Sequence, residues 1–402
     1  MLTGFHIQNF RLCKDVLVEG LGSVAALVGP NGSGKSTILQ AISRIAATAS
    51  STAYPMVLID HRFFSHLPLD VTLNFEIDGG EYEYRYSVEF AEQGGTLRPL
   101  VKEHLIRAEG RGGQQSLMHR EGGAVSVGEA PKSLSIGELA AALPATMALL
   151  PGDDPLASAI KPVLSFLSAI RYYPLDEPTV ASVHSGPISC ADYEKWEATY
   201  DATRGASGSV LMRIIYMWRK KQDELAALKS LLGPNGLELI NDIQVDRVTP
   251  DARNQSTAAA SENAYYFVTF LPNRGHGQSS DLVLADGLSH GTRRVLRMLV
   301  AILFDENSVV LLEQPEDSLH QGLTRALIGL LRQNAAPAQL IMASHSSVVL
   351  NTLRPEEIRL VSLHKGFTQV RPLTRKEVEA AAEFVNEQGP LYDFLETVQQ
   401  ED

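Results

Sequence analysis

Cysteine is nearly absent: only Cys13 and Cys190 carry a thiol in a chain of 402 residues. The two lie far apart, with no second Cys or His at a metal-ligand spacing. Neither a disulfide framework nor a zinc site is expected, and the reducing cytoplasm fits. Long apolar runs are missing as well. The longest, residues 296–304, has Arg297 inside it and falls far short of the ~18 residues a spanning helix needs, so no membrane span is expected. The opening stretch MLTGFHIQNFRLCKDV breaks its apolar positions with polar ones throughout and offers no uncharged core for a signal peptide. Positive charge is in deficit: 35 Lys and Arg stand against 47 Asp and Glu, a formal charge of -12. The chain as a whole repels a phosphate backbone, so any contact with nucleic acid needs a local patch or a partner. Heptad arms and internal repeats are also absent.

What the chain has in quantity is apolar residues. They make up 44% of it, enough for a large core, and the length suggests two or three packed units of roughly 100–200 residues. Residues 2–10 and 16–27 alternate apolar and polar and run into AALVGPNGSGKST, a strand feeding a Gly-rich turn. After the turn, residues 37–49 carry Ile38, Ala41, Ile42 and Ile45 at helical spacing without Gly or Pro. Residues 69–90, with the run VTLNFEIDGGEYEYRYSVEF, return to period two around Asp78-Gly79-Gly80 and predict a β-hairpin. Further alternation near 101–107 and 115–127 enlarges it into an antiparallel layer. Residues 131–167 read as short helices, 169–173 as a buried strand and 192–232 as charged helix with a solvated face. The gap at 249–262, TPDARNQSTAAASE, reads as a surface loop. SVVLL at 308–312 and QLIMA at 339–343 are wholly apolar, as strands buried on both faces of a parallel sheet are; helices at 292–304 and 319–333 separate them. The expected division is 1–175 with the Gly-rich turn and hairpin, 176–262 as a helical lobe, and 263–402 as a C-terminal lobe.

GPNGSGKST, residues 29–37, matches G-x-x-x-x-G-K-[ST] through Gly29, Gly34, Lys35 and Ser36, and it stands between a strand and a helix. Such a loop curls so that the amides of Asn31, Gly32, Ser33 and Gly34 face phosphate oxygens, with the positive end of the helix behind them. Lys35 supplies charge to the β- and γ-phosphates, and Ser36, followed by Thr37, supplies a hydroxyl ligand for Mg²⁺. ATP and Mg²⁺ are therefore the expected ligands. In VVLLEQPEDSLH, residues 309–320, Glu313 stands at the end of an apolar strand, where a carboxylate can hold Mg²⁺. The following position, where a hydrolysing site carries its base, is Gln314, and an amide accepts no proton. LADGLSHGTRRVLRM sets Ser289 and Gly291 ahead of a helix starting near Thr292; alone, that serine is a helix N-cap. His345 directly follows an apolar strand in IMASHSSVVLN, where a lone histidine is more often structural than catalytic.

Together and in this order, the four motifs resemble the ABC-type ATPases, and within them the SMC-like and OLD-like bacterial branch. The resemblance covers residues 1–50 and 280–350, and the middle only in general pattern. It implies an α/β, ABC-type P-loop head with a mixed or parallel core sheet, an antiparallel β layer and a helical lobe. Residues 29–37 would be Walker A, LSHG at 288–291 the signature motif, 309–314 Walker B with Gln314 at the catalytic position, 316–320 the D-loop, and His345 the switch histidine. It further implies that two subunits sandwich two ATP molecules, with Ser289 and Gly291 of one reaching the γ-phosphate held by the other. Asn9-Phe10-Arg11 is similar to the N-F-R segment near the start of SMC-like ATPases, whose basic residue lies near the nucleotide. A lobe-coupling glutamine is not identified between Gln40 and Gln93.

OLD-like ATPases carry Glu-Glu-Pro-Glu at this point, so Glu313 fits and Gln314 departs. The isosteric amide should slow hydrolysis by roughly the 10²–10⁴-fold credited to a general base, and the ATP-bound state should persist. Either the site is naturally non-hydrolysing or a glutamate was changed to trap ATP; the intact remaining motifs favour the second. The expected function is an ATPase that forms a homodimer or higher even oligomer around ATP and controls a separate effector, a nuclease or toxin, in bacterial anti-phage defence. The absence of heptad arms, and a stretch after His345 too short for the nuclease domain of OLD nucleases, point there. The alternative is a DNA-repair or recombination ATPase that clamps DNA directly, with Arg213, Arg219, Lys220 and Lys221 across its groove. A transporter motor fits poorly with the Glu313-to-Glu316 pattern and the hairpin.

Overall fold

The computed structural model describes residues 1–50, 67–93, 96–109, 113–128, 134–137, 140–174, 186–203, 209–249, 264–273 and 281–401. The chain forms two compact units, one of Met1–Pro174, Asn307–Pro315 and Ala335–Asp402, the other of Leu175–Glu306 and Glu316–Asn334.

The first unit holds two sheets. One is an eight-stranded antiparallel layer in which Leu2–Phe10 lies between Cys13–Val18 and Leu69–Ile77, followed by Gly80–Gln93, Thr96–Glu109, Gly113–Glu121, Ala124–Val127 and Leu134–Ser135. Leu69, Val71, Leu73 and Phe75 are buried in alternation along their strand, the pattern of a sheet with one face on a core. Asp78 and Gly79, at φ of 50° and 76°, are the two residues between Ile77 and Gly80. This is the left-handed pair that a two-residue hairpin demands, so the expected hairpin and its antiparallel extension are both present. The alternating run at 16–27 is split, because Cys13–Val18 joins this layer while Val24–Val28 joins the next.

The second sheet runs Ile170–Tyr173, Val309–Glu313, Gln339–Ser344, Val24–Val28 and Ile358–His364, all parallel, with Phe367–Pro372 antiparallel at its edge. Every residue of Gln339–Ser344 is buried, which is why QLIMA shows no alternation. Ile170–Tyr173 was expected to be a buried strand, but it is an edge strand with only Ile170 fully buried. The helix Lys35–Ser50 packs on this sheet through Ile38, Ala41, Ile42 and Ile45.

Two buried polar devices tie the unit together. Gln339 accepts from the Leu2 amide at 2.8 Å and donates to the carbonyls of Leu2 at 2.8 Å and Gly22 at 2.6 Å. Its amide side chain thus pairs with the first strand's backbone as a neighbouring strand would. Arg120 and Glu103, both fully buried, pair at 2.5 Å. Tyr84 donates to the same carboxylate at 2.7 Å, and Arg120 also donates to the carbonyls of Gly122 and Ala140 at 2.7 and 2.5 Å. The Ala142 amide, at the start of the helix Ala142–Leu149, donates to Glu103 at 3.3 Å.

In the second unit, Tyr265–Pro272 pairs antiparallel with Ile188–Ser189 and Ile240–Val248. The helices are Cys190–Thr203, Val210–Lys220, Gln222–Leu232, His290–Phe304 and Gln321–Asn334. Among the described residues of 192–232 the helical reading holds, 204–208 lying outside them, whereas neither Ile240–Val248 nor Tyr265–Pro272 was anticipated. Of the expected loop at 249–262, residues 250–262 lie outside the described residues, as do 131–133 of the expected helical stretch. Cys13 and Cys190 are both free and buried.

Candidate functional site

The Gly-rich loop, Gln314 and His345 leave the carboxyl ends of three parallel strands of one sheet, Val24–Val28, Val309–Glu313 and Gln339–Ser344. In open parallel sheets ligands bind at these ends. Backbone crowding dictates two of the loop's glycines. A Cβ on Gly29 would lie 1.9 Å from the Val361 carbonyl oxygen, and one on Gly34, at φ +103°, would lie 2.0 Å from Thr368 Oγ1. Thr368, buried, donates to the Ser33 carbonyl at 2.9 Å and braces the curl from the edge strand Phe367–Pro372. Lys35 is buried and its ammonium donates to the carbonyls of Gly29 and Pro30 at 2.7 and 2.8 Å. Asn31 and Gly32 are exposed at the tip, and Thr37 is half-buried. The Ser33 hydroxyl is buried with no partner among the described residues.

Ser36 donates to Glu313 Oε1 and the Tyr172 hydroxyl to Oε2. Gln40, one turn beyond Ser36, donates to the Tyr172 oxygen at 3.4 Å and accepts from Arg11 at 2.6 Å. Burial, and then the hydrogen bond to Glu313, push the Tyr172 phenol above its ordinary range, so it stays protonated as a donor. Burial, and then the charge of Arg11, lower Arg44 on the same helix. Magnesium takes hard oxygens, one or two from protein and the rest from water and phosphate. The hydroxyl of Ser36 against the carboxylate of Glu313 fits that demand. Among the described residues no cluster of three or more His, Cys, Asp or Glu could hold a metal by itself.

Gln314 adopts φ +41°, and its amide donates to the Ala343 carbonyl at 2.8 Å. Few residues other than glycine sit there, and such backbone strain gathers at functional positions. Its Nε2 lies 3.3 Å from His345 Nδ1. An amide N–H can donate to that nitrogen when the imidazole is neutral, whereas a glutamate could only accept.

The first unit thus gathers residues 31–37, Glu313, Gln314 and His345; Ser289 and Gly291 belong to the second unit. There, exposed Ser289 caps the helix His290–Phe304, accepting from the Thr292 amide at 3.1 Å. A Cβ on Gly291 would meet the Ser318 carbonyl oxygen at 2.7 Å, so glycine lets the first helical turn lie against the 316–320 segment. His320 accepts from the Leu323 amide at 3.2 Å, at the start of Gln321–Asn334.

Residues 1–90 match a family described as an AAA ATPase domain, and residues 205–351 match an AAA domain of the AbiEii-toxin type, Type IV TA system. Among solved structures, an Smc head bound to the C-winged helix domain of ScpA aligns with a TM-score of 0.51 at 11% identity, covering 94% of this chain and 99% of that one. The chain has the fold of an SMC head, and two of its stretches match AAA ATPase families. An SMC head domain from Thermotoga maritima aligns at 14% identity and TM-score 0.42, over 93% of this chain and 99% of that one. A third head, with an extended coiled coil and bound to the C-terminal domain of ScpA derived from Pyrococcus furiosus, gives 13%, 0.45, 96% and 99% respectively. No curated protein matches the chain.

Three residues of the candidate site carry no signal in the sequence: Tyr172, Gln40 and Thr368. Tyr172 stands in AIRYY, where aromatic residues in a short strand signal packing; only its place beside the Glu313 strand gives it a polar task. Gln40 lies on the helix Lys35–Ser50, where one polar residue among apolar ones marks no site. Thr368 lies on an edge strand that pairs after the last motif, and no local pattern marks it.

Proposed function

We propose that this ATPase binds ATP with Mg²⁺ at residues 29–37, closes on it as a homodimer or higher even oligomer, and thereby controls a separate effector, a nuclease or toxin, in cytoplasmic anti-phage defence. The observation that carries the reading is the meeting of Ser36 with Glu313, and of Gln314 with His345, beside a loop whose Gly29 and Gly34 admit no side chain. The amides of residues 31–37 would cradle the phosphates, and Lys35 would exchange its loop carbonyls for them. Ser36 and Glu313 would hold Mg²⁺, which neutralises phosphate charge. His345 would contact the γ-phosphate, with Gln314 in the place of the base. Ser289 and Gly291 would present a positive helix end to the nucleotide of a second subunit. The AbiEii-type match supports a defence role. Calorimetry with Mg–ATP tests the site: the chain should bind and Lys35→Ala should not, and equal binding by the variant would overturn the assignment.

The DNA-clamp alternative drew on four cations that are each paired. Arg213 is buried on Asp305 at 3.2 Å, Arg219 and Lys220 share Glu197 at 3.1 Å each, and Lys221 holds Glu224 at 2.8 Å. Cations compensated in this way make a poor phosphate patch. We expect DNA affinity to be weak, and a steep fall of strong binding with salt would restore the alternative.

A further inference from the structure

Both oxygens of Glu313 are engaged, and by different elements. In the edge pairing of Ile170–Tyr173 with Val309–Glu313, Tyr172 lies opposite Leu311. Residues two apart on a strand share a face, so Tyr172, Leu311 and Glu313 leave the sheet on the same side. The phenol reaches past Leu311 to Oε2 while Ser36 meets Oε1 from the helix. Behind the phenol stands Gln40, and behind Gln40 stands Arg11. Arg11 is the first residue of the two-residue turn between Phe10 and Cys13, at φ +52°, with its guanidinium 5.3 Å from the Phe10 ring centre.

We propose that Tyr172 is a positioning residue for the metal-holding carboxylate, and that Gln40 and Arg11 lock it in place. With Oε2 held, a single oxygen, Oε1, stays turned toward Ser36, so the two ligands of Mg²⁺ are set before nucleotide arrives. A glutamate without that contact would sample other rotamers, and ordering it would weaken the metal. Outer contacts of this kind typically alter metal affinity 10–100-fold. The proposal rests on the Mg–ATP reading above and adds to it the residue that orients the ligand.

Calorimetry of a non-hydrolysable ATP analogue, with Mg²⁺ and with EDTA, separates the roles for the parent chain, Tyr172→Phe and Gln40→Met, each also checked by thermal melting. Tyr172→Phe should bind the analogue in EDTA as the parent does and lose about 10–100-fold of the gain that Mg²⁺ brings. Gln40→Met should lose a smaller part of the same gain. A full Mg²⁺ gain in Tyr172→Phe, or equal losses with and without the metal, overturns the proposal. Should Tyr172→Phe not fold, Gln40→Met decides, a parental gain counting against it. A parent with no Mg²⁺ gain at all would instead sink the Mg–ATP reading itself.

Discussion

At position 314 one atom separates amide from carboxylate, and the turnover we expect depends on it. Gln314→Glu should raise phosphate release by roughly 10²–10⁴-fold, measured as steady-state ATPase; a variant no faster would show that hydrolysis is blocked elsewhere. Gly34 carries a second prediction. A methyl there meets Thr368 Oγ1 at 2.0 Å on a backbone at φ +103°, so Gly34→Ala should abolish ATP binding in calorimetry. Adding Thr368→Ala relieves the closest contacts, leaving the Cβ of residue 368 at 3.1 Å, but not the unfavourable φ, which costs of order 1–3 kcal/mol; recovery should be partial, and complete recovery would show that the backbone strain is immaterial. These residues were legible because phosphate chemistry fixes both type and spacing from 29 to 37. Tyr172 was not, since its task is defined by the strand beside it.

Between residue and molecule, the Glu103–Arg120 pair ties several secondary-structure elements together. Tyr84, the carbonyls of Gly122, Gly137 and Ala140, and the amide that opens Ala142–Leu149 surround it. Arg120→Met should destabilise the fold by about 3–5 kcal/mol in urea, because it strands a buried carboxylate. Glu103→Gln added to it should restore part of that loss, and an additive double variant would mean the two residues act separately. The hairpin of Leu69–Ile77 with Gly80–Gln93 could be read because its turn, Asp78-Gly79, adjoins both strands. Ile240–Val248 and Tyr265–Pro272 pair across a wide sequence gap with a register shift between Ile240 and Asp242, so neither a turn signal nor clean alternation announced them.

Across the whole molecule, the resemblance gave the head fold, but chain order hid its composition, since Asn307–Pro315 and Ala335–Asp402 return to the unit begun at Met1. Assembly is tested at this scale. In Mg–ATP the chain should double its mass in light scattering, revert on EDTA, and stay single as Ser289→Arg while still binding ATP; a monomer under every condition would remove the sandwich. The strand Val24–Val28 is flanked in the sheet by Gln339–Ser344 and Ile358–His364, and Leu2 waits for the side chain of Gln339. A ribosome adding about 5–20 residues per second takes about 15–60 s to pass from Val28 to Gln339. Throughout that interval the phosphate loop has been made but the strands that hold it have not. A growing chain therefore has no braced phosphate loop until Gln339–Ser344 and Ile358–His364 have been made, however early its Gly-rich residues emerge.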